Sequence, residues 1–486
     1  MPDLPTSSPA PTRVPRAAWA FALAWVAGFG VLQWSVVQYR VPIVTTLTAC
    51  CAALVVWQWR RAAVLLAPLP VALMLLGAAL VTLRVPLFSY LTPTGLLVAK
   101  VSLVSACVVA GLLLEQGRAR PALVALGTAL AGYLVAGVAA IRSDPSPRID
   151  VWVTLQQASD WLARGVSFYE VTWVGSPGMK DNFTYLPWTT VLLAPGRWLA
   201  GDVRWALLAW TLVAVVGVWL LATGTAVGGR STGDRWPASR TWRGAAAIAL
   251  LLLAPGTLTQ LDQAWTEPLL LAGLVWWAVL VDRDRAWWAV VPLALACASK
   301  QHLALLLPIL LVWRPFGVRR TLATGALTGL LVLPWVVAGP RDFFQDTVGV
   351  LVTFPPIRFA NTLYLFAQHT LGVTLPFWVT GLVVLGSLAA IVWVVRRRQP
   401  GTGELLRWLA LMLLVANLMN KQAFYNQYWL VGGLLVASLA LAPVRPAAAV
   451  DRLAPDIPAS TREREPCPTS ESPAPSAGGA APSAAT

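Results

Sequence analysis

Apolar segments about as long as a membrane-spanning helix recur along almost the whole sequence. A helix that crosses a bilayer needs about 20 mostly apolar residues. The candidate segments, two of them unusually short, lie near residues 17–38, 42–58, 62–83, 95–114, 121–141, 205–223, 243–261, 266–282, 286–300, 303–314, 320–338, 374–395, 404–420 and 422–442. Hydrophobic residues make up 57% of the chain and charged residues 12%, values outside the usual range of soluble domains. The sequence therefore predicts an all-α polytopic membrane protein with about 14 transmembrane helices.

The arginines indicate how these helices are oriented. The net charge is +15, but the arginines fall in short clusters between apolar runs, which is typical of cytoplasmic loops and not of nucleic-acid binding. With the N-terminus inside, the cytoplasmic loops contain Arg60, Arg61, Arg118, Arg120, Arg230, Arg235, Arg240, Arg243, Arg283, Arg285, Arg314, Arg319, Arg320, Arg396, Arg397 and Arg398. This orientation requires the short, proline-containing segment 185–201 to be re-entrant or interfacial and not spanning.

The same orientation brings the unusual polar segments together on the outer side. They are the loop 142–183, the turn QLDQAWTE at 260–267, SKQH at 299–302, the segment 339–373 and NKQAFYNQ at 420–427. Because the arginines alone define the orientation, this convergence independently supports an extracytoplasmic site.

The first of these loops contains a helical pattern. Its apolar positions are Val151, Leu155, Ala158 and Leu162, and its polar positions are Gln156, Gln157, Asp160 and Arg164. With Asp150 as N-cap and Gly165 just past the end, the pattern predicts a short amphipathic helix on the outer membrane surface. Capping alone would be enough to explain Asp150.

Two segments of this region, IDVWVTLQQASDWLARGVSFYE and FTYLPWTTVLLAP, resemble the first periplasmic loop of GT-C type membrane glycosyltransferases. The likeness is greatest to the PimE-like, polyprenol-phosphate-mannose-dependent mannosyltransferases. It extends through KQHLALLLP at 300–308 and NKQAFYNQYWL, and so covers roughly residues 121–442. The resemblance implies that Asp150 is the catalytic base, that a polyprenyl-phosphate sugar is the donor, and that the acceptor is a glycan or glycolipid. It implies no cofactor.

The chemistry of such a transfer is consistent with these residues. A lipid phosphate is already a good leaving group, so one base together with cations that bind the phosphate should suffice. The outer segments offer Lys300, His302, Lys421, Arg341 and Arg358 as cations. Lys300 ends two unusually short apolar segments, and both a phosphate ligand and simple snorkelling to the surface explain it.

Other outer residues are candidates for binding the substrate. Gln301 and Tyr185 belong to the resembling segments, and Gln260 and Asp262 lie in a polar turn that either contacts the sugar or is merely solvated. Asp144 and Asp160 are rival acids for the role of base. Two histidines and scattered acids make a metal site improbable, and no nucleotide-binding motif is present.

The sequence thus predicts an integral-membrane glycosyltransferase that moves a hexose, mannose by resemblance, from a polyprenyl-phosphate donor to an extracytoplasmic acceptor. A secondary transporter or lipid flippase is the alternative, because it too can have about 14 spans. The predicted organisation is a cytoplasmic tail (1–16), extra N-terminal transmembrane helices (17–120), a GT-C-like core (121–442) whose outer loop is 142–204, and a disordered cytoplasmic tail (443–486). A bacterial plasma membrane is the expected location.

Overall fold

The computed structural model of the protein describes residues 14, 16–36, 38–61, 66–87, 89–224 and 238–441. Nearly all of the predicted N-terminal tail, the whole C-terminal tail (443–486), and Arg230 and Arg235 lie outside these ranges. Within them the chain forms helices and no strand, so the all-α prediction is confirmed.

The α-helices in chain order are α1 (Arg16–Ser35), α2 (Val41–Arg60), α3 (Pro68–Arg84), α4 (Pro93–Glu115), α5 (Ala119–Ser143), α6 (Asp150–Ala163), α7 (Trp188–Ala200), α8 (Val203–Thr223), α9 (Ala238–Leu252), α10 (Thr257–Asp262), α11 (Glu267–Asp282), α12 (Val290–Cys297), α13 (Leu307–Val312), α14 (Gly317–Ala338), α15 (Pro340–Phe344), α16 (Val350–Thr353), α17 (Leu363–Thr370), α18 (Phe377–Arg398), α19 (Thr402–Met419) and α20 (Tyr425–Leu439). A 3₁₀ helix, Gln301–Leu306, precedes α13, and a π-helical turn, Gln345–Gly349, links α15 to α16.

Eight of the described helices are long and apolar enough to cross a membrane, namely α1, α2, α4, α5, α8, α14, α18 and α19. Every predicted span contains a helix, but several of these helices are short, so the structure does not confirm the count of 14. Helix α12 has only 8 residues, which corresponds to roughly 12 Å. The predicted span 243–261 is broken at Pro255 and Gly256, where φ of Gly256 is +80°.

Hydrogen bonds between residues at or near the ends of helices identify one end of the bundle, here called the arginine end. Trp313 Nε1 donates to the Pro400 carbonyl (2.7 Å), and Trp242 Nε1 donates to that of Leu114 (2.8 Å). Gln58 Nε2 donates to the Glu404 carbonyl (3.2 Å). Arg243 and Arg283 donate to the carbonyls of Ala222 and Leu220 near the end of α8. The C-terminal ends of α2, α4, α8, α11, α13 and α18 therefore lie at this end, together with the described arginines of the predicted cytoplasmic loops.

The N-terminal helices are packed into the bundle. Helix α4 lies between α3 and α5, α2 packs against α19, and α1 packs against α20. Helices α1 and α20 can approach this closely because residue 432 is a glycine. A Cβ atom at Gly432 would lie 2.4 Å from Cζ of Phe29. The first four helices thus share one apolar core with the region that resembles glycosyltransferases.

Helix α6 forms at the predicted residues, but not all of its predicted details are correct. It begins at Asp150 itself with Ile149 as N-cap, so the prediction of Asp150 as N-cap was wrong by one residue. Gly165 follows the helix with φ +69°, as expected for a C-terminal glycine. Gln156 is buried and not solvated, because its amide contacts the Gly201 carbonyl (3.2 Å) and the Val203 N–H (3.1 Å).

Candidate functional site

A cavity of about 600 Å³ opens at the end of the bundle opposite the arginine end, here called the cavity end. Its walls come from the connections after α1, α3, α5 and α19, from the turns before α7, α11 and α13, and from the segment 350–361. The predicted site residues that line it are Asp150, Tyr185, Lys300, Gln301 and His302. Segments far apart in sequence therefore converge, as the orientation of the arginines predicts.

Asp150 lies in the cavity wall at the first turn of α6. Its Oδ1 accepts a hydrogen bond from the Val151 N–H (2.9 Å), and the N-terminus of a helix favours a negative charge there. The other oxygen faces Gly178, where a Cβ atom would lie 2.6 Å from Oδ2. A glycine is thus needed beside the carboxylate, and the helix start and segment 177–179 together fix its position.

Tyr185 lines the cavity beside Lys300. The Lys300 ammonium lies 5.4 Å from the centre of the phenol ring. Burial raises the pKa of the Tyr185 phenol well above its ordinary value, and the charges of Glu267 and Asp150 raise it further. Tyr185 therefore stays a neutral hydrogen-bonding group.

Lys300 is buried and forms an ion pair with Glu267, which is the partner that an intramembrane charge requires. Asn426 Nδ2 donates to the same oxygen, Glu267 Oε1 (2.8 Å). The snorkelling interpretation of Lys300 was therefore wrong, since its ammonium is held inside the protein by a carboxylate. Glu267 belongs to the polar turn 260–267, and no sequence pattern links it to Lys300.

Gln301 and Asp346 hold the segment that carries Tyr185. Gln301 Nε2 donates to the carbonyls of Thr184 and Thr347 (both 3.0 Å). Asp346 Oδ2 accepts from the Phe183 N–H (2.7 Å), and burial raises the pKa of Asp346 to about 6. Both Thr347 and Asp346 belong to the π-helical turn, and such turns are frequent at functional sites. No sequence pattern indicates a role for Asp346.

Four predicted binding residues do not line this cavity. Lys421 donates to the Val352 and Phe354 carbonyls (2.8 and 2.5 Å), so it closes a loop beside the cavity. Arg358 is exposed on that loop. Gln260 and Asp262 are fully buried behind the wall, which contradicts the solvated interpretation of their turn.

The rival acids also lie outside the cavity lining. Asp144 is buried at the end of α5, where its carbonyl accepts from the guanidinium of Arg204. Asp160 forms a partly exposed ion pair with Arg197 (2.9 Å). Among the three candidate acids, only Asp150 faces the cavity.

Several lining residues were missed by sequence reasoning. Arg148 and Tyr90 lie together beside Asp150, and the Tyr90 hydroxyl donates to the Arg148 carbonyl (3.2 Å). Ser35 and Val36 at the end of α1 line the cavity as well. The signal for Arg148 was its position two residues before Asp150, but nothing in the sequence links α1 or Tyr90 to the site.

Asn361 ties the N-terminal helices to this wall. Its Nδ2 donates to the Gln38 carbonyl (2.7 Å), and its Oδ1 accepts from the Arg40 N–H (3.0 Å). The Tyr428 hydroxyl donates to the Asn361 carbonyl (2.8 Å). The loop after α1 is therefore a fixed part of the cavity.

Over the described residues, no group of three or more His, Cys, Asp or Glu side chains is arranged to hold a metal ion.

Fold and site together define a polytopic α-helical membrane protein with a polar cavity at one end of its bundle. Residues 183–420, just under half of the chain, match the sequence model of glycosyltransferase family 87. The matched region contains Tyr185, Glu267 and Lys300, whereas Asp150 precedes it. No curated protein matches the chain.

One solved structure, ArnT from Cupriavidus metallidurans bound to undecaprenyl phosphate, is similar with a TM-score of 0.41 and 14% sequence identity. The alignment covers 60% of this chain and 55% of that one, so the present chain spans little more than half of ArnT.

Proposed function

We propose that this protein is an integral-membrane glycosyltransferase that transfers a hexose from a polyprenyl phosphate to an extracytoplasmic glycan or lipid. The observation that carries the proposal is the cavity in which Asp150 shares a wall with Lys300, within a chain whose residues 183–420 match a glycosyltransferase family. The resemblance of the loop around Asp150 to PimE-like enzymes favours mannose as the sugar.

Asp150 would act as the general base. Its carboxylate takes the proton of the acceptor hydroxyl, the hydroxyl oxygen bonds to the anomeric carbon, and the bond from that carbon to the phosphate oxygen breaks. The electron pair remains on the phosphate, which thereby gains one negative charge. The products are the new glycoside, polyprenyl phosphate and a proton on Asp150.

Lys300 and Arg148 would bind the phosphate. Both line the cavity, Lys300 inside the protein and Arg148 at its exposed edge. Cations held in a water-poor site stabilise the charge that develops on a leaving phosphate. The neutral side chains of Tyr185, Gln301 and His302 would hydrogen-bond the sugar hydroxyls.

The distribution of acids favours this enzyme over a transporter or flippase. Transporters place ionisable residues near the midplane of the bilayer. In the eight described helices of span length, the acids are Glu115, the last residue of α4, and Glu404, the third residue of α19. We further propose that the cavity end faces the outside of a bacterial plasma membrane and that the N-terminus is cytoplasmic, because arginines mark the cytoplasmic side.

The test is Asp150→Asn, assayed as purified protein with labelled polyprenyl-phosphate sugars and membrane-lipid acceptors. We expect transfer to fall by about 10²- to 10⁴-fold, the usual contribution of a general base, with unchanged insertion and melting temperature. Asp181→Asn is the matched control, because Asp181 is an exposed acid of the same outer loop that does not line the cavity. Normal transfer by Asp150→Asn would remove Asp150 as the base.

A further inference from the structure

The ion pair between Lys300 and Glu267 lies immediately behind the cavity surface. Lys300 lines the cavity, whereas Glu267 is fully buried and does not line it. Asn426, which does line the cavity, donates to Oε1 of Glu267 (2.8 Å). The other carboxylate oxygen, Oε2, has no hydrogen-bond partner among the described residues. A ligand that contacts the Lys300 ammonium is therefore also close to the negative charge of Glu267.

This negative charge bears on how phosphates bind. A phosphodiester such as a polyprenyl-phosphate sugar carries one negative charge, whereas a phosphomonoester carries about 1.5 to 2 at pH 7. A nearby carboxylate repels both, but it repels the monoester more, and the low polarity of a buried site strengthens the repulsion. A lysine without a carboxylate partner would instead favour the monoester.

We propose that Glu267 is a positioning residue that prevents Lys300 from retaining the lipid phosphomonoester product and so promotes its release. The inference rests on the proposed function, in which cleavage of the bond between sugar and phosphate adds one negative charge to the phosphate. Repulsion from Glu267 therefore rises at the moment when the product forms. The hydrogen bond from Asn426 holds the Glu267 carboxylate beside Lys300.

A purely structural role of the pair makes a different prediction. The pair joins the start of α11 to the turn before α13, and removal of one partner from a buried pair is destabilising. A structural role would lower stability, single-turnover transfer and steady-state turnover together. If Glu267 instead controls product release, Glu267→Gln should lower steady-state turnover and leave single-turnover transfer almost unchanged.

The experiment compares wild-type protein with Glu267→Gln in full-length, detergent-purified form. Binding of polyprenyl phosphate is measured by tryptophan fluorescence, and transfer is measured in single-turnover and steady-state assays. In Glu267→Gln we expect polyprenyl phosphate to bind about tenfold more tightly, since one repelling charge is gone, and kcat to fall because product leaves slowly. Single-turnover transfer should stay within about threefold, and Glu267→Asp, which keeps the charge, should restore weak product binding.

Glu170→Gln is the matched control, because it removes the same charge from an exposed position of the outer loop that does not line the cavity. Unchanged product affinity in Glu267→Gln, or an equal loss of single-turnover and steady-state rates, would overturn the inference. If Glu267→Gln does not fold, wild-type protein is tested with polyprenyl phosphate and its methyl diester. Affinities within about threefold support the inference, and a tenfold preference for the monoester contradicts it.

The two proposals fail in distinguishable ways. Product affinity is read from binding and needs no transfer. Absence of transfer from every polyprenyl-phosphate sugar, with the expected difference in binding, would contradict the proposed function and leave the charge selectivity of the Lys300 site established.

Discussion

Three cations at the cavity end are paired with acids, whereas Arg243, Arg283 and Arg397 at the arginine end contact helix carbonyls or an indole ring. All three ion pairs found among the described residues lie at the cavity end: Lys300–Glu267, Arg204–Asp202 and Arg197–Asp160. Ten of the 14 acids in the described ranges lie there too, and the remaining four are Glu115, Asp282, Asp284 and Glu404.

At the arginine end, arginines contact helix carbonyls and an aromatic ring. Arg243 and Arg283 donate to the Ala222 and Leu220 carbonyls (2.7 and 3.4 Å) in the last turn of α8, where the helix dipole favours a positive charge. Arg397 lies 4.9 Å from the centre of the Trp393 ring. These contacts leave a net positive end, which is the charge that the proposed cytoplasmic surface would carry.

The largest effect is expected from Arg204→Met at the cavity end. The Arg204 guanidinium is fully buried and donates to Asp202 and to the Ile141 and Asp144 carbonyls. Its removal leaves the carboxylate of Asp202 without its cation, and breaking a buried pair in this way costs about 3–5 kcal/mol. Thermal unfolding in detergent should show the loss. A change below about 1 kcal/mol would mean that the pair is solvated and that the two ends do not differ in this respect.

The sequence was sufficient to predict the helices because length and apolarity determine a span locally. The prediction of spans failed where a break at Pro255 and Gly256 divides one apolar run into two helices. It also failed where the short helices α12 and α13 stand in place of full spans. Such breaks depend on neighbouring helices that satisfy the free backbone groups. Their presence could not be deduced from hydropathy alone.

The candidate site was predictable in part for a related reason. Asp150, Tyr185 and Lys300 lie in segments with a recognisable pattern, and the cavity brings them together. Glu267 pairs with a residue 33 positions away, and Ser35 reaches the cavity from the first helix. Contacts of this kind depend on how the helices pack, and no local pattern specifies them.

A smaller effect is expected from the pH dependence of Asp346, a buried acid at the cavity end. Its folded pKa of about 6 lies above the ordinary value of 3.8, so the folded protein binds the proton more readily than the unfolded chain does. Stability should therefore rise as pH falls from about 6 towards 4 and be lost again as pH rises through 6, by about 2 kcal/mol in all. Melting temperatures from pH 4 to 8 measure this dependence.

Asp346→Asn provides the comparison, because its amide oxygen can still accept from the Phe183 N–H but no longer titrates. The variant should show a flatter pH profile than the wild type and be more stable than it at pH 7. Identical profiles for the two proteins would show that Asp346 does not bind a proton in this range.

The smallest effect is expected from Arg397→Gln at the arginine end. Arg397 is exposed in the last turn of α18, between Arg396 and Arg398. Its contact with Trp393 and with the helix dipole contributes less than about 1 kcal/mol, because both interactions are weakened by water and salt at an exposed site. The melting temperature and the transfer rate of Arg397→Gln should therefore remain close to the wild-type values when they are measured under the same conditions as those of Arg204→Met. A loss of stability comparable to that of Arg204→Met would show that the exposed arginines stabilise the fold as strongly as the buried pairs. The two ends would then differ in where their charges lie in the membrane and not in how strongly those charges stabilise the fold.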